Sequence, residues 1–234
     1  MKNFECYDLI QDYYELNKFV EKFCLPEEFY YITLFSRKKY DTTGLLKCDK
    51  NCIKSIVCKG SRIVKSIEQL RFQYGTILYD GEPIPEECLA VYITPNPRDM
   101  EKASKNLVKK LIDKLLDNRY HNADLEAMVA IQTSNKKNRF MDFDLDFLEP
   151  ENLPKYVEKV NDIIGNDAYH IIRTRGGYHM LVEVEKATLA NKSWYPLLTK
   201  LKVGDKMEVM VVQDGYLPVP GTLQGKFVPY VVDK

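Results

Sequence analysis

The stretch Phe140-Met141-Asp142-Phe143-Asp144-Leu145-Asp146-Phe147 alternates apolar and acidic residues. Side chains on a β-strand point to opposite faces with period two, so this pattern predicts a strand with Asp142, Asp144 and Asp146 on one face. Neighbouring anions repel one another and Asp is a poor strand former, so such a face needs compensation. Carboxylate oxygens are the ligands that Mg²⁺ and Mn²⁺ prefer. The stretch therefore predicts a divalent-cation site, and a solvated edge strand is the alternative.

A turn that combines cations, glycines and a histidine follows further along the chain, at Arg173-Thr174-Arg175-Gly176-Gly177-Tyr178-His179. Glycines let the backbone approach a ligand, and arginine donates paired hydrogen bonds to phosphate. His179 begins the next strand, where its imidazole can donate to a phosphate oxygen. We therefore predict that Arg173, Arg175, Gly177 and His179 bind a phosphate-bearing substrate. A hairpin turn with a buried histidine is the alternative.

Two other loops carry cations. Ser134-Asn135-Lys136-Lys137-Asn138-Arg139 directly precedes the acidic strand, and Lys137 and Arg139 are candidate phosphate ligands there. A solvated hairpin loop is the alternative for this segment. Pro220-Gly221-Thr222-Leu223-Gln224-Gly225-Lys226 ends on a lysine that can neutralise a triphosphate. It lacks the G-x-x-x-x-G-K-[ST] order of a P-loop, so we do not predict one.

A third acidic ligand would complete a two-metal centre, in which the ions lie about 3.5–4 Å apart and assist displacement at phosphorus. Glu208 and Asp214 are the candidates. Asp214 precedes Gly215, and Asp-Gly is expected at a hairpin tip for turn geometry alone. Glu208 lies among apolar strand residues, where an acid without a partner is costly. We favour Glu208 and keep Asp214 as the alternative.

Composition limits the class of protein. Lys+Arg and Asp+Glu both number 34 in the 234 residues, so net charge does not point to a polyanionic partner. We find neither an apolar run of about 18 residues nor a signal-peptide pattern, and we expect no membrane segment, a cytoplasmic location and reduced cysteines. Cys48, Cys52 and Cys58 fit no common zinc-finger spacing, and a fourth ligand would have to come from Cys88 or further away. Ordinary buried cysteines are favoured over structural zinc.

Periodicity and turn residues predict the order of the elements. Helices are predicted at residues 8–24, 61–74, 97–116, 150–164 and 187–201, and strands at 29–35, 89–94, 128–132, 140–147, 169–174, 178–185, 207–212, 216–219 and 227–232. Asn96 is the predicted cap of the third helix, whose packed face is predicted at Leu107, Leu111 and Leu115. Tyr40, in the basic segment 36–40, is predicted to pack in the core or at its rim. Stacking on the bases of a nucleic acid is the alternative.

The second half of the chain has its own predicted pattern. Strands 207–212 and 216–219 are expected to form a hairpin through Asp214-Gly215. The order of elements from residue 140 onward is βαββαβββ. This order predicts an α+β sandwich of mainly antiparallel sheet with helices on one side.

The order of these motifs resembles the archaeo-eukaryotic primase superfamily, which includes phage and plasmid primase-polymerases. The resemblance consists of an Asp-x-Asp strand, then Thr-x-Gly-Gly-x-His, then an acidic strand leading into Pro-Gly-Thr. It covers residue 140 to the C-terminus and is general before that. It implies metal-binding acids at Asp144 and Asp146, a nucleotide-contacting histidine at His179, and a third metal-binding acid at Glu208 or Asp214.

The same resemblance implies that Arg175 and Lys226 hold the triphosphate. The chain departs from the family pattern in three places. Glu208 stands where the family usually has Asp, no arginine precedes Pro220, and Gly177 stands where the family often has serine.

The resemblance also implies a fold and a function. The fold is an RRM-like catalytic subdomain at residues 128–234 beside an N-terminal α/β lobe at 1–127. The function is that of a DNA primase or primase-polymerase, which uses two Mg²⁺ or Mn²⁺ ions and NTPs or dNTPs to make primers on single-stranded DNA. A polymerase that fills gaps or extends ends without priming, an inactive nucleic-acid-binding protein of this fold, and a two-metal nuclease are the alternatives. A separate replicative helicase or polymerase is the expected partner, in the cytoplasm or, for a phage protein, the host cytoplasm.

Overall fold

The computed structural model describes residues 6–117, 122–146, 148–204, 207–212 and 215–233. The helices of this part of the chain are α1 (Tyr13–Phe23), α2 (Ile63–Gln69), α3 (Met100–Leu116), α4 (Ala123–Gln132), α5 (Leu153–Ile164), α6 (Val184–Ala190) and α7 (Trp194–Thr199). The strands are β1 (Phe29–Arg37), β2 (Lys50–Lys59), β3 (Leu78–Tyr79), β4 (Glu82–Pro83), β5 (Leu89–Ile93), β6 (Phe140–Asp146), β7 (Tyr169–Arg173), β8 (Gly177–Glu183), β9 (Glu208–Val212), β10 (Leu217–Pro218) and β11 (Tyr230–Val232). The α+β class is confirmed.

The first sheet has the antiparallel strand order β10-β5-β1-β2. Alternate residues of β1 point to opposite faces. Ile32 and Leu34 enter a core that also contains Phe19 of α1 and Ile67 of α2. The opposite face of the sheet carries Phe35 in a separate small aromatic cluster.

The second sheet has the antiparallel order β11-β7-β8-β6-β9. On one face, Phe143 and Leu145 of β6 and Met180 of β8 pack with Val160 of α5 and Leu198 of α7. The prediction that helices cover one side of this sheet is confirmed. The acidic residues of β6 alternate with Phe143 and Leu145 and so lie on the other side.

The two sheets share a core. Phe140, Ile172 and Leu181, on the face of the second sheet that carries the acids, belong to the same buried cluster as the core of the first sheet. The end of the chain also contributes to both sheets, since β10 pairs with β5 and β11 pairs with β7. The acidic face of β6 is therefore directed toward the first sheet.

Residues near the predicted third helix have different roles from those expected. Asp99 rather than Asn96 caps α3, accepting a hydrogen bond from the backbone N–H of Lys102. Asn96 is buried and exchanges hydrogen bonds of 2.9 and 2.8 Å with the backbone of Phe140. Leu115 is 74% exposed, so its assignment to a packed face is wrong.

The predicted strand at 128–132 is wrong, because these residues form the end of α4. Asn122 caps this helix by accepting hydrogen bonds from the backbone N–H groups of Asp124 and Leu125. A short apolar run has no periodicity that separates a strand from a buried helix.

The predicted hairpin of residues 207–219 is also wrong. β9 pairs with β6 in the second sheet, whereas β10 pairs with β5 in the first. The predicted helix at 187–201 is two helices, α6 and α7, and β2 was not predicted. The remaining predicted helices and strands are present with shifted ends.

Candidate active site

Strand pairing brings the predicted acids and histidine to one place. β6 lies between β8 and β9, and Asp144 is opposite His179 of β8 while Asp146 is opposite Glu208 of β9. Directly opposite residues of antiparallel strands point to the same face, with Cβ atoms about 4.5–5.5 Å apart. Asp144, Asp146, His179 and Glu208 therefore share one face, which we name the acidic face.

Access to solvent increases along the acidic face toward the end of β6. Phe140, at the start of the strand, is enclosed in the core that the two sheets share. Asp142 is 1% exposed, the Asp144 side chain is 28% exposed, and Glu208 is exposed. A ligand can therefore reach the end of this face that carries Asp144, Asp146 and Glu208.

His179 is held between two of the acids. Its Nδ1 lies 3.0 Å from each carboxylate oxygen of Asp142, and its Nε2 lies 3.6 Å from Oδ1 of Asp144. Burial opposes protonation, but the charge and hydrogen bond of Asp142, with Asp144 and Asp146, raise the pKa of His179 to about 9. The ring is therefore an imidazolium at neutral pH, with a carboxylate close to each of its nitrogens.

The Asp144 carboxylate is partly withdrawn from water. Burial raises the pKa of this carboxyl, His179 opposes the shift, and Asp146 and Asp142 raise the pKa further. The ionised form of Asp144 therefore carries an energetic penalty that one imidazolium does not remove. A cation bound beside it would remove more of that penalty.

The carboxylates fit a hard divalent cation by type and placement. Within the described ranges, no three His, Cys, Asp or Glu side chains are already gathered as a metal cluster. Mg²⁺ is usually held by only one or two carboxylates together with substrate phosphates, so an ion that arrives with a nucleotide needs no preformed cage. Asp144 and Asp146, with exposed Glu208 alongside, meet that requirement. Asp142 instead directs both oxygens at His179.

The turn at Arg175 adjoins the open end of the acidic face. Gly177 is opposite Asp146, and a Cβ built on Gly176 would lie 3.7 Å from Oδ1 of Asp146. The backbone N–H of Arg175 donates to Oε1 of Gln224 at 2.8 Å. The Arg175 guanidinium carbon lies 4.4 Å from the centre of the Tyr40 ring. The backbone of Arg175 therefore lies in a turn next to the end of β6, and its guanidinium packs against Tyr40.

The ring of Tyr40 contacts further cations that the sequence analysis did not assign to a site. Nζ of Lys39 and the guanidinium carbon of Arg37 lie 5.3 and 6.0 Å from the centre of its ring. Nε2 of Gln224 donates to the Tyr40 hydroxyl at 2.9 Å. The charge of Lys39 also lowers the pKa of the Asp144 carboxyl, against the larger effect of burial. The only sequence signal was the basic composition of residues 36–40.

Arg173 is not brought to the acidic face. It is opposite Tyr178, which packs with Leu145 on the helix-covered side of the sheet. Its Nη1 donates to the carbonyl of Gly177 at 2.9 Å, and its guanidinium carbon lies 4.5 Å from the Tyr178 ring centre. Arg173 therefore stabilises the turn from the opposite face.

Lys137 and Arg139 lie at the other end of β6 from Asp146. A strand of this length spans about 20 Å at roughly 3.3 Å per residue. Lys137 pairs with Glu185 at 3.3 Å, and Arg139 donates to the carbonyl of Phe23 at 3.1 Å. Both line a cavity of about 670 Å³ whose walls contain no acid of the acidic face. Lys137 and Arg139 are close to the acids in the sequence, but the sequence did not show that the solvent-accessible end of β6 is the other one.

Lys226 lies close to the open end. A Cβ built on the preceding Gly225 would overlap the Arg175 guanidinium, and Lys226 is exposed in that turn. The alternative metal ligand Asp214 lies outside the described residues.

The cysteines are free thiols. Cys58 and Cys88 are buried, whereas Cys48 and Cys52 are exposed, so the expectation of burial is wrong for the latter two. Burial raises the pKa of the Cys88 thiol to about 12. Cys88 therefore stays protonated at neutral pH and is not a reactive nucleophile.

Comparisons with protein-family models, with curated proteins and with solved structures find no match to this chain. In the described part of the chain, no helix has both the length and the apolar character needed to cross a membrane. Any function must therefore be argued from the acidic face and its surroundings.

Proposed function

We propose that this chain is a primase-polymerase that joins nucleotides along a single-stranded DNA template with the help of divalent cations. The observation that carries the proposal is the placement of Asp144, Asp146 and Glu208 at the open end of one sheet face, next to the turn that carries Arg175. An enzyme that handles metal-bound triphosphates needs carboxylates for the metal and cations for the phosphates.

Asp144, Asp146 and Glu208 are the residues that would hold Mg²⁺ or Mn²⁺. Ions bound there stabilise the charge that develops when a 3′-hydroxyl attacks phosphorus and pyrophosphate leaves. The penalty on the buried charge of Asp144 supports this role, because it favours a cation at this position.

Asp142 and His179 position Asp144. The ring of His179 is 7% exposed, and Asp142 holds it through two contacts of 3.0 Å. The Nε2 side of the ring therefore faces Asp144 and limits the directions that the Asp144 carboxylate can take. The direct contact with a nucleotide that the family resemblance implies for His179 stays a prediction.

Arg175, Lys39 and Lys226 supply positive charge for the triphosphate. Gln224 fixes the backbone of Arg175, and Tyr40 holds its guanidinium, so its donors are oriented before a ligand binds. No side chain needs to form a covalent bond to the substrate, since the hydroxyl of the growing strand attacks the phosphorus directly.

The proposal includes a fold of the archaeo-eukaryotic primase type, with an RRM-like subdomain at 128–234 and an N-terminal lobe at 1–127. The antiparallel second sheet, covered by helices on one face and directed at the first sheet by the other, supports this. β10 pairs with β5, so the C-terminal half also contributes an edge strand to the first sheet.

Incorporation of labelled nucleotides by the full chain tests the proposed function. The templates are primer-free single strands of mixed sequence, supplied with NTPs or dNTPs and with Mg²⁺ or Mn²⁺. We expect products that require the metal and a rate lowered by about 100-fold or more in Asp144→Asn with Asp146→Asn. Asp162→Asn, an exposed acid on α5, is the matched control and should retain the wild-type rate.

Other outcomes would assign a different activity. Products only from an annealed primer would indicate a polymerase that fills gaps or extends ends without priming. Strand binding without incorporation would leave an inactive nucleic-acid-binding protein and overturn the proposal. Shortening of the template with Mg²⁺ would indicate a nuclease.

A further inference from the structure

A second charged cluster lies on the first sheet, on the face away from its main core. Arg37 at the end of β1 is directly opposite Lys50 at the start of β2. Like charges directly opposite one another destabilise an antiparallel pair. The pairing of Arg37 with Lys50 therefore requires a compensating group.

Aromatic rings hold both cations in place. Nζ of Lys50 lies 4.2 Å from the centre of the Phe35 ring and 4.4 Å from that of Tyr216. Nη1 of Arg37 donates to the Tyr92 hydroxyl at 2.6 Å. Contact with ring faces stabilises a cation, and Lys50 as a residue remains exposed to solvent. The two charges are thus fixed where a ligand can reach them.

Neither Arg37 nor Lys50 forms an ion pair with a carboxylate in the described part of the chain. Burial of the amine and the charges of Arg37 and Lys39 lower the pKa of Lys50 to about 8. Nε of Arg37 is a buried donor that finds no acceptor among the described residues. Unused buried donors are costly, and cations without counterions repel one another. Both observations favour an anionic acceptor at this position.

We propose that Arg37 and Lys50 form a phosphate-binding site, separate from the acidic face, that binds a backbone phosphate of single-stranded nucleic acid. Phosphate oxygens accept hydrogen bonds from guanidinium and ammonium groups together. The bound anion would neutralise the repulsion between the opposed cations of β1 and β2.

Tyr40 connects this phosphate site to the acidic face. The guanidinium carbons of Arg37 and Arg175 lie 6.0 and 4.4 Å from the centre of its ring, and the Arg175 turn adjoins Asp146. Successive phosphates of one nucleic-acid strand can therefore contact Arg37 and Arg175 in turn. That the occupant is a strand rests on the proposed function, whereas the phosphate site itself stands on its own contacts.

Binding of a fluorescently labelled single-stranded oligonucleotide to the full chain tests the site. Anisotropy is measured over a series of salt concentrations without divalent metal or nucleotide. Lys50→Met keeps an unbranched side chain between the rings and removes the charge. We expect Lys50→Met to bind the oligonucleotide about tenfold more weakly than the wild type. The slope of log affinity against log salt concentration should be smaller by about 0.7–1. Lys65→Met, an exposed lysine on α2, should change neither.

A second variant and a stability measurement keep the test decisive. Lys50→Glu places a negative charge in the site, opposite Arg37, and should weaken binding at least as much as Lys50→Met, with the thermal unfolding midpoint retained. The site would be overturned if both variants kept the affinity and the salt slope of the wild type. It would also be overturned if Lys65→Met lost as much affinity for the oligonucleotide as these variants do. Weaker binding of ATP with unchanged binding of the oligonucleotide would overturn the assignment to a strand.

The site and the proposed function fail in distinguishable ways. If the wild-type protein incorporates nucleotides and Lys50→Met binds strands as Lys65→Met does, the phosphate site is overturned and the function stands. If the wild-type protein binds strands through Lys50 and incorporates no nucleotide, the function is overturned and the site stands.

Discussion

His179 determines the charge balance of the acidic face. It is the buried cation between Asp142 and Asp144, and it offsets part of the repulsion between carboxylates that share one side of β6. An uncompensated pair of buried carboxylates would instead take up a proton. The imidazolium therefore opposes the rise that burial causes in the pKa of the Asp144 carboxyl, and it favours the ionised form.

The stability of the metal-free protein should depend on pH through His179. The pKa of His179 is raised from 6.5 to about 9, so the folded protein binds this proton more tightly than the unfolded chain does. Its stabilising effect is complete below about pH 6.5 and is lost as the pH rises through 9. At about 1.4 kcal/mol per pKa unit, the loss is on the order of 3 kcal/mol in the free energy of unfolding, measured by urea denaturation with a chelator present.

His179→Gln is the control for this pH dependence. The variant has no titrating ring, so the difference in unfolding free energy between wild type and variant should shrink as the pH rises from 6 to 10. A difference that stays constant over this range would contradict an imidazolium at this position.

At the scale of elements, the start of β8 approaches β6 too closely for a side chain. A Cβ on Gly177 would overlap the carbonyl oxygen of Leu145, whereas a Cβ on Gly176 would have ordinary contact with Asp146 at 3.7 Å. Gly177 therefore keeps Asp146 paired at the end of the strand. Because of this close approach, the serine that is common at this position in the family that the motifs resemble would not fit at Gly177.

The two glycines should respond differently to alanine. We expect Gly177→Ala to lower the free energy of unfolding by about 1–3 kcal/mol, because the backbones of β6 and β8 must move apart. Gly176→Ala is the matched control and should have a smaller effect, since the neighbouring carboxylate can shift. The measurement is the denaturation midpoint of each variant, and equal midpoints for the two variants would contradict the close packing at Gly177.

Individual elements were predictable where the chain itself carries a repeating signal. The alternation of Phe143 and Leu145 with aspartates predicted β6 and the shared face. Gly165, with φ +76°, ends α5 directly after the predicted helix 150–164. The apolar run at 128–132 carries no such signal, and its helical state follows from the cap at Asn122. β2 was not predicted because its outward-facing residues are mostly polar, and its pairing with β1 defines it.

At the scale of the whole molecule, the packing between the two sheets could not be read from the sequence. β9 and β10 are neighbours in the chain, but each pairs with the strand whose edge is open to it, β6 and β5 respectively. The same packing places Lys39 and Tyr40 of the N-terminal half beside Asp144 and Arg175. Motif order was sufficient to predict the acids and His179 on one face, but not the cations contributed by the first sheet.

We propose that carboxylates from two strands of the second sheet, β6 and β9, bind divalent cations. Binding of Mn²⁺ alone to the full chain, followed by the electron paramagnetic resonance signal of free Mn²⁺, tests it most directly. We expect saturable binding by the wild type, about tenfold or more weaker in Asp146→Asn and also weakened in Glu208→Gln, since each variant loses an oxygen ligand. Glu185→Gln, an exposed acid on α6, should bind as the wild type does. Wild-type affinity in both Asp146→Asn and Glu208→Gln would contradict the claim.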